Sequence, residues 1–324
     1  MFITLDETKK LIEEGKILHI AAEENLLRQL PKGNWIGGTT PYFITAEGGT
    51  LSKDKLLVDE VSFAVACKTR VYDAGNIFDV SKDAYDNGLT FLLIPFASDV
   101  AVHYSKEAPN SENLLLTPIV GWITGFDLSA GGKAKVFDGI TGISYDDKAV
   151  ALHISLPDNK FASIGIVNIF ETEENAPKIE FPESTLSVQN CLVDGKEVVF
   201  ADYITENNID TQLPLISDYN SVLINVSVKS VSLENRTVEL YAPVFTGRTY
   251  SFARPVSDYA ASFGKYLKDH ENSKPVFSCN CILNYLYGKL ENKATPPFAG
   301  PVTFGEIAFL LLNQTLVYVE ITDK

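Results

Sequence analysis

Apolar residues recur at helical spacing in a few short segments, while elsewhere they alternate or run continuously as they do in strands. Thr4-Leu5-Asp6-Glu7 has the form of a capping box ahead of Leu11 and Ile12, and with Gly15 as a stop it predicts a helix over residues 5–14. A second helix carries Leu26, Leu27 and Leu30 and ends at Pro31. An apolar strand then runs into the glycine pair of Trp35-Ile36-Gly37-Gly38-Thr39-Thr40-Pro41-Tyr42. Residues 58–66 and 90–96 read as strands, the second apolar enough to be buried on both faces. Between them, residues 81–87 form an acidic helix closed by Gly88. Further strands are expected at 118–124, 149–156 and 164–170.

The acidic, proline-flanked stretch 171–182 has no periodicity and marks a boundary between halves. Beyond it, strands are expected near 198–200, 221–231 and 238–243. Residues 255–268 place Tyr259, Phe263, Tyr266 and Leu267 on one helical face, with Pro255 suited to the first turn. A strand at 274–278, a helix at 281–287 and a strand at 315–321 close the chain. The expected fold is α+β, with two related halves of mixed sheets flanked by helices in a layered α/β sandwich. The segments are 1–172 and 183–324, and one internal echo links residues 35–42 to 298–304 through a Gly-x-x-x-aromatic spacing.

Composition sharpens this picture. At 324 residues, with 45% hydrophobic and 21% charged positions, the chain can bury a large core and is far from the composition of disorder. A net charge of -15 repels phosphate backbones and anionic membranes, so neither nucleic acid nor membrane is an expected partner. The longest apolar run, Ile307 to Leu312, is far short of the ~20 residues of a spanning helix. The N-terminus lacks the order of an export signal, and four cysteines are too few for a disulfide framework, which together point to the cytoplasm.

Catalytic motifs are weak. Gly131-Gly132-Lys133-Ala134 lacks the upstream glycine and the hydroxyl of a phosphate loop, and Leu128-Ser129-Ala130 lacks the glycine of a nucleophile elbow at Asp127. Cys279 and Cys281 have no evident base or metal partner. Cys279 reads as a small buried hydrophobe, with a thiol-dependent enzyme as the alternative. His19, His103, His153 and His270 are dispersed; His153 reads as a structural strand residue, and His103 is the candidate if haem is bound.

Glycine turns let a backbone approach a ligand closely, and neighbouring hydroxyls give and accept hydrogen bonds. Gly37, Gly38, Thr39, Thr40 and Tyr42 meet this description in the first half, and Gly300, Thr303, Phe304 and Glu306 in the second. Arg248 and Arg254 can clamp a carboxylate, while Trp122 and Thr124 can line an apolar wall. A protein-interaction scaffold without a pocket is the remaining alternative.

Residues 275–280 (Pro-Val-Phe-Ser-Cys-Asn), 297–307 (Pro-Phe-Ala-Gly-Pro-Val-Thr-Phe-Gly-Glu-Ile) and 312–317 (Leu-Asn-Gln-Thr-Leu-Val) follow one another in an order that resembles the carboxy-terminal signature of FIST sensory proteins. Ile36 to Thr40, Leu93 to Ser98, Pro118 to Gly125, Phe137 to Gly139 and Ala149 to Leu152 are similar to the family's amino-terminal half. Thr39-Thr40-Pro41-Tyr42 departs from the usual Gly-Cys-Ser/Thr-x-Gly-Glu turn, so the resemblance is to a divergent member, and because it covers most of the chain it implies a stand-alone one. The resemblance implies a FIST N-like and a FIST C-like domain forming a non-enzymatic sensor of small molecules such as amino acids or related metabolites. It also implies a separate signalling protein as partner, and haem binding occurs in some relatives.

Overall fold

The capping box at Thr4 forms as expected: Glu7 Oε2 accepts from the Thr4 amide and hydroxyl at 2.8 and 2.7 Å. The structure, a computed structural model, describes residues 1–219, 222–256, 258–270 and 272–324. It is α+β, and its strand pairings resolve three repeats of one plan.

The first repeat holds β1 (Phe2–Thr4), α1 (Leu5–Glu13), β2 (Leu18–Ala22), α2 (Glu24–Leu27), β3 (Trp35–Thr39), β4 (Tyr42–Thr45), β5 (Gly48–Leu51) and β6 (Lys55–Glu60). The second holds β7 (Ala66–Tyr72), α3 (Asp79–Lys82), β8 (Gly88–Pro95), α4 (Asp99–Glu107), α5 (Glu112–Leu115), β9 (Ile119–Thr124), β10 (Val136–Asp138), β11 (Ile143–Tyr145) and β12 (Ala149–Ser155). The third begins with β13 (Lys160–Val167) and is interrupted by an insertion. The insertion contains β14 (Ile179–Glu180), β15 (Thr185–Val188), β16 (Asn190–Val193), β17 (Lys196–Val199), α6 (Phe200–Glu206), β18 (Leu215–Tyr219), β19 (Val222–Val226), β20 (Val228–Ser232), β21 (Thr237–Val244) and β22 (Thr249–Phe252). The repeat resumes with α7 (Tyr259–Asp269), β23 (Phe277–Cys281), α8 (Ile282–Tyr287), β24 (Gly300–Thr303), β25 (Glu306–Ala308), β26 (Leu310–Leu312) and β27 (Leu316–Asp323).

In each repeat the strands on either side of a helix lie parallel: β2 with β3, β8 with β9, β23 with β24. The hairpin that follows leaves for another repeat's sheet, so that β4 pairs with β24, β10 with β3 and β25 with β9. The chain then returns, and β6, β12 and β27 pair with β2, β8 and β23 of their own repeats. Three six-stranded mixed sheets result, each completed by a neighbour in a closed cycle.

The inner faces of these sheets share one apolar core. At equivalent positions of β2, β8 and β23, the rings of His19, Phe91 and Phe277 meet in a triangle with centroids 5.1 to 5.5 Å apart. His19 and Phe91 are stacked and Phe277 meets both edge-on, the two arrangements that aromatic pairs prefer. The outer faces are covered by helices, with α1 and α2 over the first sheet and α4 and α8 over the others. Phe263 of α7 packs on Val167, Phe298 and Leu316.

Most of the insertion folds on a core of its own, with two antiparallel sheets packed around Phe200, Leu215, Val238 and their neighbours, while Tyr219 and Ile224 pack into the body core. Its neck is narrow: Thr172 bridges Ala253, and the Arg254 amide donates to Glu171 O. The aperiodic stretch at 171–182 thus marks the chain leaving the body for the insertion. The segments 1–172 and 183–324 share sheets, because β4 and β5 complete the sheet of β23 and β24.

Most expected elements form within a few residues of their sequence limits. The helix expected at 81–87 is the shorter α3, because Asn87 is tied by its side chain to the carbonyls of Leu156 and Pro157 and β8 already starts at Gly88. The strand expected over 58–66 stops at Glu60, where the chain turns, and β7 starts afresh at Ala66. Ser221, the expected start of the 221–231 strand, and the side chain of Leu267 lie outside the described residues.

Candidate functional site

Each repeat's second parallel strand carries Gly-x-x-Thr: Gly37 to Thr40, Gly121 to Thr124 and Gly300 to Thr303. These strand ends turn into the exchanged hairpins, and they do so around one another. Gly125 N donates to Thr39 O at 2.7 Å and Phe304 N donates to Ile123 O at 2.9 Å. The third contact of the ring falls to Pro41, which has no N–H. There the Thr40 hydroxyl substitutes, donating to Val302 O at 2.7 Å.

The glycines serve this interlock. A Cβ on Gly38 would stand 2.5 Å from Trp122 and 2.6 Å from Thr124 Cγ2, and one on Gly300 would stand 1.7 Å from the Ser278 carbonyl oxygen. Their open faces are therefore filled by protein from neighbouring strands and do not border a hollow. Trp122 reaches further in, its indole N–H donating to His19 Nε2 at 2.9 Å. With Nε2 accepting, the His19 proton is on Nδ1, which meets Asp59 Oδ2 at 3.0 Å.

Eleven of the thirteen residues singled out from the sequence cluster at or just below the ring: Gly37, Gly38, Thr39, Thr40, Trp122, Thr124, Cys279, Gly300, Thr303, Phe304 and Glu306. Tyr42 is adjacent, its hydroxyl accepting from the Leu128 amide at 3.1 Å. Arg248 is separate: it lies in the insertion, in the turn between β21 and β22, with its guanidinium 4.3 Å from the Tyr219 ring centroid. Arg254, at the insertion's neck, pairs with Glu171.

Beneath the third corner the Glu306 carboxyl is fully buried and accepts from the Thr303 hydroxyl at 2.9 Å and the Thr315 hydroxyl at 2.8 Å. Burial pushes it up to about 8, against hydrogen bonds that favour its charge. Cys281, beside it, and Cys279, whose thiol points to Gly121 O at 3.6 Å, are both pushed well above the ordinary thiol range by burial. His153 is held between the hydroxyls of Tyr72 and Thr90 at 2.9 and 2.8 Å, and burial pulls it down to about 4. It has the satisfied strand environment that its apolar neighbours suggest. His103 is exposed on α4 next to Phe78.

Two kinds of hollow open from the ring. One, of about 230 Å3, is polar and includes Thr39, Thr40, Glu23, Lys53 and Asp127. Lys53 Nζ meets Asp127 Oδ2 at 2.5 Å, and with Ser129 it holds the Asp127 carboxyl well below its usual range. The other is an apolar cleft between the body and the insertion, made of adjoining hollows of about 170 and 210 Å3 that share Phe96, Phe304, Tyr241 and Lys229. Phe96, Phe126 and Phe304 form its body side, with centroids 5.2 to 6.4 Å apart. Tyr241 and Lys229 come from the insertion.

Lys229 sits in a bulge, since Val228 pairs with Leu240 while Ser230 pairs with Glu239. A bulge re-aims the side chain it carries. Among the described residues no carboxylate forms an ion pair with Lys229. In the hollow of about 170 Å3, Asn313 is 1% exposed and its Oδ1 has no hydrogen-bond partner among the described residues.

A family model, described as a family of unknown function (DUF6976), matches residues 3–322. The chain belongs to this family. The match runs from β1 to β27 and spans all three repeats and the insertion. No curated protein and no solved structure matches the chain.

Reasoning from the sequence missed Phe96, Phe126, Lys229, Tyr241 and Asn313 as site residues. Phe126 stands two residues after the second Gly-x-x-Thr, as Tyr42 does after the first, so reading the motif as threefold points to it. Lys229 alternates with apolar neighbours like any solvent-facing strand residue, and only the bulge distinguishes it.

Proposed function

We propose that this family member is a small-ligand-binding protein whose site is the cleft between the three-repeat body and the insertion. The observation that carries this reading is an apolar cavity at the carboxyl ends of parallel strands, walled by three phenylalanines and capped by Lys229, which the insertion delivers and which has no ion-pair partner among the described residues. Small-molecule sites are mostly apolar with few placed polar groups, favour boundaries between folded units, and span roughly 300–1,000 Å3. Occupied as one space, the two hollows come near the lower end of that range. In open α/β sheets the carboxyl ends of strands are likewise the usual position of ligands.

The lining suits a compact aromatic or aliphatic body bearing one carboxylate, the body against Phe96, Phe126 and Phe304 and the anion at Lys229, while the lining's own carboxylate, Glu239, is engaged by the Ser187 hydroxyl. Binding without turnover fits the raised thiols and the protonated Glu306 better than nucleophilic chemistry does, because thiolates do the attacking. A ligand bridging body and insertion would also fix their relation. This suits the sensory role that the FIST resemblance implies and gives a separate signalling protein two surfaces to read. The four free cysteines accord with a cytoplasmic setting. Among the described residues, no helix is long and apolar enough to cross a membrane.

The test is thermal unfolding of the full chain with phenylacetate, 3-phenylpropionate and indole-3-acetate. A ligand at a hundred times its Kd adds ~2.7 kcal/mol of stability, so Tm should rise with ligand concentration. Lys229→Glu should abolish the rise without lowering the Tm of the free protein. No rise with any of the three acids would remove the cleft as a carboxylate site.

A further inference from the structure

Resting on the cleft reading, the geometry points to a ligand whose buried end carries an uncharged hydrogen-bond donor, with Asn313 Oδ1 as the atom that selects it. Asn313 is buried and lines one hollow, whereas Lys229 is exposed and borders both, so a ligand touching the two has one buried and one exposed polar contact. Asn313 Nδ2 is engaged with Leu312 O at 3.1 Å, which leaves the side-chain oxygen as the free group. Buried acceptors with no partner are rare in folded proteins, and each calls for a reason.

The side chain is also held in place. Its neighbour Gln314 has a left-handed backbone, φ 51°, and is clasped by the insertion. Gln314 Oε1 accepts from the Ser227 hydroxyl at 2.7 Å, Gln314 Nε2 donates to Gln212 O at 3.0 Å, and Gln314 O accepts from Asn225 Nδ2 at 3.3 Å. The acceptor is thus anchored by the same unit that supplies Lys229. Positioning of this kind makes a polar contact selective.

The surroundings restrict the donor to a neutral group. Phe126, Ile282 and Leu283 line this end and offer a cation no counter-charge, while the nearby Glu306 keeps its proton. A phenol, an amide N–H or an indole N–H meets the requirement. A site that hydrogen-bonds a substrate hydroxyl rejects the analogue lacking it far more strongly than an apolar pocket rejects a missing methylene.

Calorimetric titration with 3-phenylpropionate and 3-(4-hydroxyphenyl)propionate separates the two levels of the argument. For the native chain, the hydroxylated acid should bind at least tenfold more tightly. In Asn313→Leu that ratio should fall to about one while 3-phenylpropionate keeps its affinity, and in Asn313→Asp, which retains an acceptor in the same shape, the preference should persist. Circular dichroism checks that both variants fold. Equal affinities in the native chain would overturn the selection by Asn313 and leave the cleft standing, with water as the partner of Oδ1. A preference that survives in Asn313→Leu would also overturn it, and binding of neither acid would overturn both.

Discussion

The polar hollow and the apolar cleft are built on equivalent corners of one frame, yet they differ in nearly every side chain. Glu23 follows β2 beside Thr40, just as Cys281 ends β23 beside Thr303. Pro41 leaves the first corner and Phe304 the third. With Glu23, Lys53 and Asp127 the first mouth is charged; with Cys281, Phe304 and Phe96 the other is apolar. The insertion supplies Lys229 and Tyr241 only to the apolar mouth. The backbone of a repeat therefore decides where a hollow falls, and the residues just past the strand ends decide what it can hold.

The largest effect should come from breaking the shared frame. Gly300→Val drives a side chain into the Ser278 carbonyl and should destabilise the body by more than ~4 kcal/mol, read as a collapse of the denaturation midpoint. A folded, near-native variant would show that the corners can part.

Next is the acid beneath the apolar mouth. Folded, Glu306 holds its proton to about pH 8; unfolded, it releases it near 4.5. Its contribution is full below 4.5 and is lost as pH rises toward 8, at up to ~1.4 kcal/mol per pH unit. Glu306→Gln cannot ionise, so the stability of the native chain relative to this variant should decline across that window. A difference that stays constant with pH would contradict the raised acid.

The finest comparison sets equivalent threonines against each other. Thr40→Val strips Val302 O of its donor and should cost ~1–3 kcal/mol. Thr124, whose buried hydroxyl has no partner among the described residues, should accept valine within ~1 kcal/mol of neutral or gain stability. Equal losses at both positions would mean that the ring hydrogen bond is not what distinguishes the corners.

Much of the secondary structure was legible because periodicity and capping are local: Thr4 to Glu7, the apolar run of β8 and the glycine-bearing corners all stand where the chain suggests. The repeat number was not. The echo sets Gly38 against Gly300 through an aromatic four residues on, but the strand pairings make Gly37 the equivalent of Gly300, and the feature common to all three repeats is the shorter Gly-x-x-Thr. The exchange of hairpins leaves no trace in any one segment, since pairing partners such as Thr40 and Val302 are 262 residues apart. The corner glycines were recognised and their purpose was not, because close approach to a ligand and close approach to a neighbouring strand ask for the same residue. The cleft escaped notice for a related reason: its outer wall, with Lys229 and Tyr241, comes from the insertion, and nothing in sequence says which body surface an inserted unit covers.

The closed exchange of hairpins also governs how the molecule can come apart. No repeat owns a complete sheet, so removing one strips strands from its neighbours and exposes their edges, and the body has no stable fragment of one or two repeats. The insertion lends no strand to the three sheets and is free of that constraint, although Tyr219 and Ile224 pack into the body core. Heating should therefore release it as a unit of its own while the trefoil of sheets holds, then melts all at once.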